Sequence, residues 1–265
     1  HRDLHSFPTR RSSDLMSMEQ RYQRQLAFRH IGPEGQRRLA SARATIIGVG
    51  ALGTAIANSL ARAGFGYLRL VDADRVEASN LQRQTLFDEA DAAAGRLKVE
   101  AAAAHLRGIN SSIVVDARAT RADAANIAEL VSGVDIVLDG GDNFQVRYLA
   151  NDACRAAGVP WIYGGVLGDS GVTLNVLPDS GPCLRCLMPE PPEPGSFDGP
   201  EQLGVLNQIV AVIGAIEAVE AMKIVLDSQN IRRSLLSVSL WDTSFYETAI
   251  DSSPDCPVCG MRHHR

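Results

Sequence analysis

The fold is decided by residues 44–53, which read ATIIGVGALG. An apolar run ends here in a Gly-x-Gly-x-x-Gly loop, and small and apolar residues follow at helical spacing through Ala63. The stretch therefore predicts a strand, a tight turn and a helix. Such a turn lets the backbone approach a phosphate, while the helix offers free N–H groups and the positive end of its dipole. A glycine turn that only packs a strand against a helix is the alternative.

Strand-like and helix-like patterns keep alternating downstream of this stretch. Further strands are predicted at residues 67–71, 113–115 and 134–138, and a helix is predicted at 98–106. This alternation predicts an α/β fold with a Rossmann-like, doubly wound and mainly parallel sheet.

The pattern changes after Pro160. Two closely spaced strands, at 161–166 and 172–177, predict an antiparallel extension of the sheet. A proline-rich crossover loop around residues 189–200 and a long apolar helix at 205–226 follow.

The composition is that of an ordinary globular protein. The chain has 265 residues, 45% of them hydrophobic, so it can bury a full core. A formal net charge of -5 at pH 7 argues against nucleic acid or an anionic membrane as a partner. The sequence lacks a run of about 18 apolar residues, and its N-terminus lacks the apolar core of a secretory signal. The cytoplasm is therefore the expected compartment.

A dense set of polar residues follows the second predicted strand. Asp72 closes that strand, where a carboxylate can accept hydrogen bonds from ribose hydroxyls. Residues 72–84 read DADRVEASNLQRQ, and GRLK follows at 95–98. Arg83 and Lys98 supply positive charge for a triphosphate, while Asn80 and Gln84 can donate hydrogen bonds to phosphate oxygens. An NAD-dependent oxidoreductase uses the same turn and acid but has little use for this array, and it is the second hypothesis.

Two Cys-x-x-Cys pairs have the spacing with which four thiolates bind one tetrahedral Zn²⁺; they are Cys183 with Cys186 and Cys256 with Cys259. Four thiolates leave no position for a reactive water, so the zinc is expected to be structural. It would clamp the C-terminal tail to the crossover region. Two disulfides are the alternative, which a cytoplasmic location disfavours.

Together these motifs closely resemble the MoeB/ThiF family, the bacterial relatives of ubiquitin-activating enzymes, and within it the adenylyltransferases of molybdopterin synthase and of sulfur-carrier proteins. The shared signature joins Gly-x-Gly-x-Leu-Gly to Asp-x-Asp-x-Val-x-x-Ser-Asn-Leu-x-Arg-Gln. It continues through Arg21-Tyr22-x-Arg24-Gln25, Gly95-x-x-Lys98, Asp139-x-x-Asp142-Asn143-Phe144-x-x-Arg147 and both cysteine pairs. The resemblance covers nearly everything after residue 20.

The resemblance implies an adenylyltransferase that uses ATP and Mg²⁺. Its substrate would be the C-terminal Gly-Gly carboxylate of a small ubiquitin-fold sulfur-carrier protein, and its products an acyl-adenylate and pyrophosphate. A C-terminal carboxylate is already ionised at neutral pH, so the attack needs no general base. Charge neutralisation and orientation of the reactants would therefore carry the catalysis. A homodimer is also implied.

The site residues that the resemblance implies fall into three groups. The nucleotide is expected to contact Gly48, Gly50, Ala51, Gly53, Asp72, Asp74, Ser79, Asn80, Arg83, Lys98, Asp142 and Asn143. The catalytic set is Arg24, Arg83, Lys98 and Asp142, with Arg24 reaching into the nucleotide site of the partner subunit. Asp142 would carry Mg²⁺, which suits a carboxylate at a strand end, although a helix N-cap is its alternative role. The zinc ligands are Cys183, Cys186, Cys256 and Cys259.

Residues 16–265 are predicted to form a single adenylation domain of the ThiF type. Its nucleotide-binding half would span about 40–150, and the antiparallel extension, crossover loop and zinc region about 160–265. Residues 1–15 are predicted to be a non-native leader, because they precede two possible starts at Met16 and Met18. The strands after Pro160 and the crossover loop are expected to line a channel for the carrier's tail and to pair with it through the backbone.

The chain departs from the family pattern at two places. Ala51 stands where the family usually has glycine, and a small effect on nucleotide affinity is expected. Pro200 stands near a cysteine that many members carry for persulfide or thioester chemistry, and the sequence has no cysteine between Cys186 and Cys256. The enzyme is therefore expected to stop at the acyl-adenylate and to leave sulfur delivery to a separate donor protein.

A catalytically silent scaffold that binds a ubiquitin-fold partner is the third hypothesis. A tRNA-modifying branch of the same superfamily is a further alternative. The sequence is compatible with a carrier that serves molybdopterin, thiamine, a sulfur amino acid or a secondary metabolite.

Overall fold

A computed structural model describes residues 18–193 and 200–260 of the chain. The predicted leader at residues 1–15 and residues 194–199 of the predicted crossover loop therefore lie outside the described residues. Within the described ranges, none of the helices combines the length and apolar content that a bilayer crossing requires.

The described chain alternates helices and strands in its first two thirds and ends in a hairpin. The helices are α1 (Met18–Leu26), α2 (Gly32–Ser41), α3 (Ala51–Ala63), α4 (Glu89–Ala93), α5 (Lys98–Ile109), α6 (Ile127–Leu130), α7 (Phe144–Ala157), α8 (Leu184–Leu187), α9 (Pro200–Leu203) and α10 (Asn207–Val225), with a 3₁₀ turn at Ala78–Asn80. The strands are β1 (Arg43–Ile47), β2 (Tyr67–Val71), β3 (Val114–Arg118), β4 (Ile136–Asp139), β5 (Trp161–Leu167), β6 (Ser170–Val176), β7 (Leu235–Ser239) and β8 (Ser244–Thr248).

All eight strands form one sheet in the order β3-β2-β1-β4-β5-β6-β7-β8. The pairs from β3 to β5 are parallel, and the pairs from β5 to β8 are antiparallel. The order reverses between β1 and β4, which are neighbours in the sheet although two strands separate them in the chain. Both the predicted fold class and the predicted antiparallel extension are confirmed.

The sheet carries an apolar layer on each face. One layer contains α3, α5 and α10, with fully buried side chains such as Leu60, Leu106 and Ile213. The other contains α6, α7 and α8, with Trp161 and the four paired cysteines among its members. Helix α10 is apolar almost all round, because it packs on α3 as well as on β5 and β6.

The sequence pattern misplaced several boundaries and missed two strands. The predicted third strand at 113–115 lies instead at Val114–Arg118, because Asp116 and Arg118 look like loop residues but pair with β2. Strands β7 and β8 escaped prediction, since most of their side chains are at least partly exposed and give no strong apolar alternation.

One expectation about this region is wrong. The strands after Pro160 were expected to be exposed, but nearly all of their residues are buried or half-buried, and β5 lies between β4 and β6 while β6 lies between β5 and β7. Backbone pairing with the tail stays a prediction, since β5 pairs with β4 only at Trp161 and Ile162, and β6 pairs with β7 only over residues 170–173. The edges of the described sheet are β3 and β8.

Candidate functional site

The carboxyl ends of β1 and β4 lie side by side and carry the glycine loops of the candidate site. Ile47 pairs with Asp139, and the N–H of Gly140 donates to the Ile47 carbonyl at 2.8 Å. Gly48 has φ +89, and a Cβ there would lie 2.7 Å from the backbone of Gly140. Only glycine fits such a position, since the two loops touch through their backbones. A ligand crevice is expected where the strand order of a parallel sheet reverses, which is between β1 and β4 in this protein.

Helix α3 begins at this crevice with its N-terminus open. Gly50 is the N-cap, and it provides no side-chain hydrogen bond to the first turn. The N–H groups of the first turn are therefore available to an anion together with the positive end of the helix dipole. Ala51 is the first residue of the helix and is half-buried, so its methyl group lies beside the proposed path of the phosphates.

Asp72 holds the loops in place at the end of β2. Its carboxylate accepts hydrogen bonds from the Val49 N–H at 2.7 Å and from the Asp74 N–H at 2.8 Å. The acid is thus beside the glycine loop, as the sequence predicted for a ribose-binding carboxylate. Its oxygens also stabilise the loop before any ligand binds.

The 3₁₀ turn and the residues after it pack next to the glycine loop. Asn80 is buried and accepts a hydrogen bond from the Glu77 N–H, while Arg83 donates to the Ser79 carbonyl at 3.0 Å. Gln84 is only 4% exposed, and its Nε2 lies 4.0 Å from the place where a Cβ of Gly50 would be. Among the described atoms its Oε1 has no hydrogen-bond partner. The turn therefore presents polar groups to the open end of α3.

Lys98 and Asp74 form an ion pair behind this turn. The Lys98 side chain is buried at the start of α5, and its Nζ lies 3.4 Å from an Asp74 carboxylate oxygen. The exposed Arg121 approaches the other oxygen at 3.3 Å. Asp74 is therefore a counter-ion of the predicted phosphate-binding lysine.

Asp142 and Asn143 follow the second glycine pair. Asn143 is the N-cap of α7, and its side chain accepts a hydrogen bond from the Gln145 N–H at 2.8 Å. Asp142 is exposed and does not have the N-cap position, so the alternative structural role for it is not supported. An exposed carboxylate near a strand end is the kind of ligand that suits a hard cation.

Arg24 lies apart from the other predicted catalytic residues. It is exposed on α1, whose Gln25 donates to the Ala63 carbonyl at the far end of α3. Helix α3 has 13 residues and is about 20 Å long, so α1 lies at the opposite end of α3 from the glycine loop. Any role for Arg24 at a nucleotide therefore concerns another subunit.

Sequence reasoning overlooked a buried ion pair beneath the site. Arg147 donates to Asp139 at 2.7 Å and to the carbonyls of Gly141 and Gly164 at 2.8 and 2.9 Å. Burial alone would lower the pKa of Arg147, but the Asp139 carboxylate outweighs it and raises that pKa. The spacing of an acid at a strand end and an arginine on the next helix was the available signal.

The four paired cysteines converge on one point, as predicted. Their sulfurs all lie within 4.8 Å of one another, with Cys183 to Cys256 at 3.6 Å and Cys186 to Cys259 at 3.2 Å. A disulfide requires about 2.05 Å, and all four thiols are free. A tetrahedral Zn²⁺ with bonds of about 2.3 Å needs sulfur separations of about 3.8 Å. The cluster therefore fits a zinc ion.

The surroundings of the cluster tie two distant segments together. Cys183 precedes α8, which α7 holds through a hydrogen bond from the Leu184 N–H to Asn151 and an ion pair between Arg185 and Asp152. Burial alone would raise the pKa of the Cys256 thiol, but hydrogen bonds from the Cys259 and Val258 backbones lower it to about 7. Such backbone donors favour a thiolate, the form that binds metal.

The sequence model of the ThiF family matches residues 22–258. Among curated proteins, the SAMP-activating enzyme E1 of Haloferax volcanii is 43% identical over 91% of this chain and 88% of its own length. The sulfur carrier protein ThiS adenylyltransferase of Bacillus subtilis is 40% identical over 92% of this chain and 73% of its own length. The sulfur carrier protein adenylyltransferase of Thermus thermophilus is 37% identical, with 91% and 90% covered.

Solved structures give the same fold. The crystal structure of E. coli MccB with ATP superposes with a TM-score of 0.79 at 25% identity, over 91% of this chain and 74% of that one.

Proposed function

The chain belongs to the ThiF family, and we propose that it is an adenylyltransferase acting on a sulfur-carrier protein. It uses ATP and Mg²⁺ to activate the C-terminal Gly-Gly carboxylate of a small ubiquitin-fold carrier. Relatives that are 37% to 43% identical carry names that state activation of SAMP, ThiS or a sulfur carrier. The observation that carries the proposal is the open N-terminus of α3 at the crevice between β1 and β4, with Gln84 beside its Gly50 and with Asn80 and Arg83 on the same polar turn as Gln84.

Each polar group has a distinct task in this reaction. Asp72 orients the ribose, and the first turn of α3 binds the phosphates next to the glycine loop. Arg83 and Lys98 neutralise the charge of the triphosphate. To reach the phosphates, Arg83 gives up its hydrogen bond to the Ser79 carbonyl, and Lys98 gives up its ion pair with Asp74. Asp142 would hold Mg²⁺, which supplies charge stabilisation for the departing pyrophosphate.

The reaction needs orientation more than proton transfer. The carrier carboxylate attacks the α-phosphorus of ATP, an acyl-phosphate bond forms, and pyrophosphate leaves with its electron pair. The attacking group is already ionised at neutral pH. Fixed cations that hold both anions in line therefore account for the catalysis.

The free edge of the antiparallel extension is the docking surface that we propose for the carrier. Strands β5 and β6 are interior, whereas β8 is an edge strand with most of its side chains exposed. Trp241, Phe245 and Tyr246 are 82%, 57% and 66% exposed at this hairpin. Aromatic side chains of this kind are enriched among the residues that dominate binding energy at protein interfaces.

A homodimer completes the proposed site. Arg24 is exposed at the far end of α3 from its own glycine loop, which suits a residue that acts in a second subunit. Sulfur delivery is assigned to a separate donor, since the described helix α9 starts with Pro200 near the family's cysteine position. Zn²⁺ bound by Cys183, Cys186, Cys256 and Cys259 is assigned a structural role.

Exchange of labelled pyrophosphate into ATP tests the proposed function. The wild-type protein, given Mg²⁺ and a Gly-Gly-ended carrier, should catalyse exchange, and a carrier that lacks its last glycine should not support it. A scaffold would bind the carrier without exchange. An oxidoreductase would change nicotinamide absorbance without exchange. Either of these two results would reject the proposal.

A further inference from the structure

Helix α10 buries an acid that the proposed reaction does not use. Glu217 is 0% exposed, and neither of its carboxyl oxygens has a hydrogen-bond partner among the residues that the structure describes. Its neighbour Glu220 is also buried, but it bonds to Asn175, to Lys223 and to the Arg232 N–H. An unpartnered buried carboxyl group is costly, so its presence at this position needs a reason.

Glu217 presses against the backbone of β5 at Gly164. A Cβ placed on Gly164 would lie 2.0 Å from the Glu217 Oε1 and 2.7 Å from its Cδ. The carboxyl group thus occupies the space that any larger residue at position 164 would need. The acid and the glycine fit only as a pair.

Gly164 links Glu217 to the ion pair between Asp139 and Arg147. Its N–H bonds to the Asp139 carboxylate, and its carbonyl accepts from Arg147 at 2.9 Å. The same Arg147 nitrogen donates to the Gly141 carbonyl at 2.8 Å. Gly141 precedes Asp142, so a short series of contacts runs from Glu217 to the loop that carries the proposed Mg²⁺ ligand.

The charges around Glu217 favour its neutral form. Burial raises the pKa of Glu217 well above its ordinary value, and the nearby Asp139 carboxylate raises it further, while Arg147 and Arg232 oppose the shift. Tyr163, on β5, also faces the group. Asp139 already has the Arg147 guanidinium as its partner, so an ionised Glu217 would compete with it for the same cation.

We propose that Glu217 is a positioning residue of the adenylation site, which in its protonated form keeps Gly164 and Arg147 in the arrangement that fixes the loop of Asp142. This inference rests on the proposed function. Loss of its proton draws Arg147 away from Asp139 and the Gly141 carbonyl, and the loop that binds Mg²⁺ loosens. Glutamine keeps the size and neutrality of the protonated acid and cannot ionise.

The Mg²⁺ concentration that gives half-maximal pyrophosphate exchange tests this role. Groups that support a metal ligand typically change metal affinity 10- to 100-fold when they are removed, so E217A should raise the Mg²⁺ requirement roughly 10-fold. E217Q should stay within about twofold of wild type at neutral pH and should keep a low Mg²⁺ requirement at alkaline pH, where that of wild type rises. E220Q is the matched control, because it alters a buried acid one turn along α10, and its profile should follow that of wild type.

Gly164→Ala tests the same contact without removing any atom of Glu217. The added methyl group must displace the Glu217 carboxyl group, so G164A alone should resemble E217A, and G164A in the E217A background should add little. Additive effects of the two substitutions would show that Gly164 and Glu217 do not act through their contact.

Three results would overturn the proposal. They are a folded E217A with the wild-type Mg²⁺ requirement, an E217Q as impaired as E217A, and superimposable pH profiles for wild type and E217Q. Absence of exchange in wild type itself would reject the proposed function instead. The protonation state of Glu217 would then be measured from the pH dependence of unfolding.

Discussion

The glycine crevice and the cysteine cluster both join segments that are distant in the chain, but they do so by different means. At the crevice, Gly48 and Gly140 touch through their backbones, and Asp72 accepts two backbone hydrogen bonds. At the cluster, four sulfurs lie within 4.8 Å of one another with all thiols free. The first region is shaped by the chain alone. The second brings together four thiols in an arrangement that fits a zinc ion.

Removing the metal should have the largest effect. Cys256→Ser should abolish zinc binding and lower the free energy of unfolding by about 3 kcal/mol or more, because structural zinc contributes its binding energy to folding. For a chain of this size that is a fall in Tm of roughly 6–12 °C. Metal analysis and thermal unfolding measure the two effects, with Cys154→Ala as the zinc-bound control. A Cys256→Ser protein that keeps one zinc per chain would contradict zinc binding by these four cysteines.

Substitutions at the crevice should instead affect the rate and spare the fold. Arg83→Ala and Asp142→Ala should each reduce pyrophosphate exchange by about 10²-fold or more, since each removes a charge that is proposed to act on the phosphates or on Mg²⁺. Arg121→Gln, which alters an exposed ion pair with Asp74, should change the rate by less than about threefold. Near-wild-type exchange in both alanine variants would reject the site assignment.

Glu217, which is buried on α10 against Gly164, should give stability a pH dependence. Because its pKa is raised in the folded protein, the proton is held there after the unfolded chain has released it above about 4.5. The stabilisation is complete below that pH and falls by about 1.4 kcal/mol per pH unit as pH rises towards the folded-state pKa. The stability of Glu217→Gln relative to wild type should therefore increase with pH. Denaturant unfolding at several pH values measures this, and parallel curves would contradict it.

Substitutions at the sheet edge should weaken binding of the carrier and leave binding of ATP unchanged. Trp241→Ser should raise the KM for the carrier about tenfold and leave the KM for ATP unchanged, because an exposed aromatic residue typically contributes 1–2 kcal/mol at an interface centre. Equal KM values for the carrier in wild type and variant would show that it docks elsewhere.

Ala51→Gly should have the smallest effect. The methyl group lies at the start of α3, where the other glycines of the turn still allow a close approach. We expect ATP affinity to change by less than about threefold, or 0.6 kcal/mol. A change above tenfold, measured by titration calorimetry, would mean that residue 51 limits access to the crevice.

The sequence predicted the parts of the fold that depend on local pattern. The strand, glycine turn and helix around Gly48 and the convergence of the four cysteines follow from spacing, which the structure reproduces. Strands β7 and β8 were missed, since most of their side chains are at least partly exposed and the strands depend on pairing, β7 with β6 and β8 with β7, more than on their own pattern.

The contacts of the candidate site residues could not be predicted from the sequence, and their roles stay predictions. Asp72 and Lys98 lie where their motif placed them, yet the pairing of Lys98 with Asp74 and the N-cap role of Asn143 depend on tertiary structure. Glu217 is the clearest case. Within an apolar helix it reads as one acid among alanines and valines, and only the contact with Gly164 shows that it is buried and unpartnered.

The central claim is that the crevice between β1 and β4 binds a triphosphate, and calorimetric titration of ATP with Mg²⁺ tests it most directly. Wild type should bind ATP, and Arg83→Ala should bind it at least about tenfold more weakly while AMP affinity stays the same, because Arg83 is proposed to contact the phosphates beyond the first. Absence of ATP binding by wild type, or equal ATP affinity in the two proteins, would contradict the claim.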